Sequence, residues 1–159
     1  MLDGLIYCYQ RNMDYVAKLG AGLDDKLGQT QPLPRMNHPA WILSHLNIYH
    51  NVMACIVEGR SFPDPKDGPF GMGSAPDRPS APYLPIASLL ENYGTGARTV
   101  LELLSKAQAS VLDNPIPLPR WQERMPTAAR ALPYLMLVHE NQHLGQFSAW
   151  RRAAGLPSA

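Results

Sequence analysis

Two histidines stand four residues apart in the string HENQH, His139 to His143. On a helix this spacing puts both imidazoles on one side, about one turn apart. One helix can thereby offer two ligands to a single metal ion. The string also matches the zinc-protease pattern H-E-x-x-H. That chemistry needs a third ligand, commonly downstream. The sixteen residues after His143, LGQFSAWRRAAGLPSA, hold no His, Asp or Glu. A third ligand is therefore expected upstream, and the protease reading is set aside.

Three further histidines precede the pair. His45 lies one turn from Trp41 and one turn from Tyr49, on an apolar stripe. His38 is seven residues earlier and is the second choice. His50, five residues after His45, falls off the stripe and is expected at the surface. In the last segment the stripe reads Leu132, Leu135, His139, His143, Gln146, Trp150. Three polar rings projecting into one interior are costly without partners. A shared divalent metal, bound by neutral nitrogens at about 2.0–2.1 Å with positions left open, is one answer. Histidines bonded to neighbouring side chains are the other. An open three-His site can turn water or a thiol into a nucleophile near neutral pH, or polarise a carbonyl.

Two side chains beside the pair are catalytic candidates. Glu140 could serve as a general base or support a ligand. It lies ~100° round the helix from His139, which favours a solvated carboxylate. Gln146, one turn past His143, could orient a ligand or touch substrate. Trp41 and Tyr49 read as core or pocket wall. Ligating imidazoles donate their other N–H to an acceptor, and Gln142, Asn47 and backbone carbonyls are candidates.

The elements that must position these residues are marked out by proline. There are 16 prolines, seven of them between Pro63 and Pro85. Residues 60–82, RSFPDPKDGPFGMGSAPDRPSAP, exclude regular helix or central strand. Smaller breaks fall at Gln31–Pro34 and Asn114–Pro119. Four segments with helical periodicity remain: about Leu2–Ala21, Asn37–Glu58, Pro85–Gln108, and Thr127 or Pro133 to Ala153. Asn37 is the expected N-cap of the second. Gly94 and Gly96 offer close helix approach in the third. No stretch alternates long enough for a strand. The expectation is an all-α four-helix bundle with a long proline-rich crossover loop, forming one domain over residues 1–159. A loop this long suggests a lid, a dimer contact or a mobile segment.

Composition narrows the function. Lys+Arg total 14 against Asp+Glu 13, a net charge of +1, which gives no electrostatic case for nucleic acid or an anionic membrane. No run approaches the ~20 apolar residues that span a bilayer. The N-terminal stretch has no secretory pattern. Two cysteines, Cys8 and Cys55, fit a reducing cytoplasm and are expected as buried thiols.

Two strings carry a family resemblance. NHPAWILSHL (37–46) resembles the second-helix signature of the DinB/YfiT-like superfamily, and HENQHLGQFSAWRR with AAGLP (139–157) resembles its last-helix signature. The resemblance implies a four-helix bundle with non-simple connections, often dimeric. It implies a divalent metal, zinc or nickel, on His45, His139 and His143. It further implies a small-molecule substrate and a low-molecular-weight thiol, with thiol-dependent S-transfer or hydrolysis as the activity. A non-catalytic metal-binding or stress-response protein is the alternative. Residues 60–126 carry no diagnostic motif.

Overall fold

The computed structural model describes residues 2–159. The chain is all-α. Among the described residues the only strand-like feature is an isolated bridge between Pro115 and Thr127. Helix α1 (Leu2–Gly20) buries Leu5, Tyr9, Val16 and Leu19. It stops where Gly22 adopts φ +75°, a conformation that costs glycine little. A Cβ on Gly20 would meet Leu90 at 2.5 Å, so that glycine also lets α1 approach the third helix.

Helix α2 (Pro39–Glu58) is buried on nearly every side, from Pro39 to Val57. It carries no charged side chain before Glu58, as a helix apolar all round must when it runs through a core. The N-cap is His38, not Asn37: the His38 ring Nδ1 accepts from the Trp41 N–H. Pro39 suits the first turn. Gly59, at φ 65°, ends the helix, with the Arg60 N–H returning to Cys55 O.

Helix α3 (Ile86–Lys106) packs chiefly on α2. Its first N–H, on Ile86, is capped from outside by the Asp25 carboxylate at 2.7 Å. Of the two glycines expected to permit close approach, Gly96 does so: a Cβ there would lie 2.6 Å from His50 Nδ1. Gly94 meets only the flexible end of Arg98.

Helix α4 runs through Ala128–Pro133, Tyr134–His139 and Glu140–Ala153. It therefore starts at Thr127 and passes Pro133 without breaking. The middle stretch is π-helical, with the Glu140 N–H reaching Leu135 O. Proline removes one rung of the ladder and crowds the preceding turn, and the widened turn follows directly. Such turns recur at functional sites.

One hydrophobic cluster joins these helices, with Tyr9, Ile42, Tyr93, Phe147 and Trp150 among its most enclosed members. The proline-rich 60–82 segment has an ordered path. Its carbonyls and hydroxyl reach the N-terminal half of α2 at three points: Trp41 Nε1 donates to Ser74 Oγ, His38 bonds Pro76 O through Nε2, and His45 bonds Phe70 O through Nδ1. The segment is a strap on the helix that carries His45. Cys55 is buried as expected, whereas Cys8 is exposed, because α1 turns that face to solvent.

Candidate metal centre

Helix α2 brings His45 inward between Trp41, stacked on its ring at a centroid distance of 4.8 Å, and Tyr49 at 5.0 Å. Helix α4 brings His139 and His143 to meet it. The ligand nitrogens of His45, His139 and His143 all lie within 4.8 Å of one another. His45 Nε2 and His139 Nε2 are 3.1 Å apart. Two donors of one ion, each about 2 Å from it, stand at most ~4 Å apart, so little movement would complete a site. The three residues chosen from stripe geometry are thus brought together, and they could hold a metal ion.

Hydrogen bonds fix which nitrogens face inward. The Phe70 carbonyl can only accept, so His45 Nδ1 carries the hydrogen and donates to it at 2.6 Å. Gln146 Oε1 accepts from Asn37 Nδ2 at 3.0 Å and lies 3.1 Å from His143 Nδ1. His143 Nδ1 therefore donates as well. Both rings present a bare Nε2, the arrangement that ligating histidines adopt. His139 Nδ1 is buried with no hydrogen-bond partner among the described residues.

Burial also keeps these rings neutral, as metal ligation requires. It lowers His45 to about 4, helped by the neighbouring His143 and opposed by the bond to Phe70 O. It lowers His139 to about 3, with His143 and His45 pushing the same way. His143 is lowered by burial too, against the bond to Gln146.

The other candidates fall elsewhere. His38 caps α2 and bonds the strap. His50 is buried, 4% exposed, between Tyr93 and the face of Gly96. The surface expectation failed because α3 packs over that side of α2, with Gly96 leaving room for the ring. Gln146 is itself exposed and holds His143 in place. Asn47 donates to Leu89 O, and Gln142 lines the cavity. Neither supports a ligand ring, and a backbone carbonyl does so for His45.

Glu140 is 2% exposed, not solvated. It points away from the histidines, and Tyr93 Oη donates to its carboxyl. Burial pushes it up to about 8, with the Tyr93 bond pulling the other way. It does not line the cavity beside the metal-ligand candidates.

That cavity, about 560 Å³, opens over the three histidines. Trp41, Tyr49, Trp121, Met125, Tyr134 and Leu135 supply most of its wall, and Met72 and Gly73 of the strap edge it. Arg120 and Arg124 stand in it as well. Sequence reasoning passed over these two arginines. The signal was there in PRWQER, where two cations four residues apart flank a tryptophan in a chain with only 17% charged residues.

Among the described residues, no helix is long and apolar enough to cross a membrane. The family model described as the DinB superfamily matches residues 9–147. Comparison with curated proteins finds no match.

Proposed function

The chain belongs to the DinB superfamily, and on that footing we propose that it is a metal-dependent enzyme acting on a small molecule by thiol transfer or hydrolysis. One observation carries the reading: three neutral imidazoles converge at the floor of an open cavity. A structural site is closed by a fourth protein ligand, whereas a catalytic one keeps a position free. Among the described residues, no fourth His, Cys, Asp or Glu joins the group.

His45, His139 and His143 would hold the ion. A divalent metal there supplies a Lewis acid that makes water or a thiol acidic enough to act as a nucleophile near neutral pH. The protein's own part is positional. The Phe70 carbonyl and Gln146 fix the tautomers and ring planes of His45 and His143. Trp41 and Tyr49 hold His45 from both sides along α2. A substrate seated against the apolar wall would displace water from it, which strengthens every electrostatic interaction inside. Gln142, Tyr49 and Tyr134 are polar, uncharged wall groups available to orient a substrate. Glu140 is not given the role of base, because its carboxyl is committed to Tyr93 on the far side of α4.

Metal content by mass spectrometry tests this reading. About one transition metal per chain is expected. His45→Ala and His143→Ala should each lose most of it. Unchanged content in both variants would overturn the three-His site.

A further inference from the structure

The cavity wall has a charge pattern that metal binding leaves unexplained. Arg120 and Arg124 line it, and none of its lining residues is Asp or Glu. The chain carries nearly equal numbers of each sign, so this asymmetry is local.

The two guanidinium groups are held differently. Arg120 is anchored: its Nε and Nη2 both reach the Asp64 carboxylate within 2.6 Å, and its head lies 5.2 Å from the centre of the Trp121 ring. This clamp uses one edge of the guanidinium. Nη1 makes no hydrogen bond among the described residues, so its two N–H groups stay available. Arg124 has no carboxylate within ion-pair distance among the described residues, and its charge is uncompensated. A guanidinium presents a planar fork that matches a carboxylate or a phosphate. The same cavity also has a large apolar share of wall, supplied by Trp41, Trp121, Met125 and Leu135.

We propose that the cavity takes a small molecule with an apolar body and a terminal anionic group, carboxylate or phosphate, seated by Arg124 and the free edge of Arg120 while its other end reaches the three histidines. The inference rests on the reading of this cavity as the substrate site. Arg124 is then the specificity-determining residue, and Arg120 acts beside it as a fixed second donor.

The test is direct binding to the purified full-length chain, read by the fluorescence of Trp41 and Trp121 in the wall. The probes are 4-phenylbutyrate, 3-phenylpropyl phosphate and the neutral 4-phenylbutyramide. At least one anion should bind about tenfold tighter than the amide. Arg124→Gln should erase that preference and leave amide binding unchanged, while Arg124→Lys keeps part of it. Whichever anion binds better identifies the headgroup. Equal binding of all three probes, binding of none, or a preference that survives Arg124→Gln would overturn the proposal. Survival would place the anion on the metal or on Arg120 alone instead. Because the readout is an Arg124-dependent preference, it is independent of the mass-spectrometric metal assay. A metal-free protein that still shows the preference would sink the metal reading alone.

Discussion

His50 shows what burial does to a single titratable group. Its ring packs against Tyr93 at a centroid distance of 4.8 Å and against Tyr9 at 6.5 Å, with Gly96 leaving room for it. Both ring nitrogens lack hydrogen-bond partners among the described residues. Burial lowers its pKa to about 3 in the folded chain, against about 6.5 unfolded. A depressed folded value contributes stability that is complete above pH ~6.5 and lost as pH falls toward 3. The loss from this one group runs up to ~1.4 kcal/mol per pH unit. His50→Leu should therefore weaken the acid-side fall in unfolding free energy, measured by denaturant titration between neutral pH and pH ~4. Identical pH slopes for the two proteins would contradict the buried neutral ring. His50 was misplaced by its position relative to the His45 stripe. The better clue was Gly96, which lets α3 close over the side of α2 that carries His50.

At the scale of elements, the strap matters more than its composition suggests. Residues 60–82 form almost no regular structure, yet three of their polar atoms partner His38, Trp41 and His45. Removing residues 64–78 takes away the Phe70 carbonyl, the Ser74 hydroxyl and the Pro76 carbonyl together, while leaving the helical core intact. Metal affinity should then fall by roughly 10–100-fold, the usual effect of losing the partner behind a ligating histidine. Far-ultraviolet circular dichroism should change little. A globally unfolded deletion variant would mean that the strap also carries the fold. The helices themselves were legible, because stripes such as Leu5–Tyr9–Val16 and Ile86–Leu89–Tyr93 repeat at helical spacing. So were His45, His139 and His143, which lie on two such stripes. The strap was not legible: it acts through backbone carbonyls, and any residue type supplies those. The start of α4 was open between Thr127 and Pro133, and the helix takes the first; the π turn after Pro133 was not anticipated, because a proline can also begin a helix.

For the whole molecule, the core and the metal-site residues are separable. The cluster that joins all the long helices is built from apolar side chains such as Leu19, Ile42, Val100 and Phe147, and the three histidines sit at its edge beside an open cavity. Chelation should therefore leave the helical signal in place, unlike a zinc finger, whose fold depends on its metal. The melting temperature should drop only by the mass-action contribution of bound metal. Collapse of the helical signal on chelation would show that the ion holds the bundle together. The hydrogen bond from His45 to Phe70 O gives this separability a limit. Coupling between two events is reciprocal: if an ordered strap tightens metal binding by some factor, bound metal favours the ordered strap by the same factor. A protease that cuts only a detached strap would then read metal occupancy without touching a ligand, and cleavage between residues 60 and 82 would slow in step with loading of a site formed by other parts of the chain.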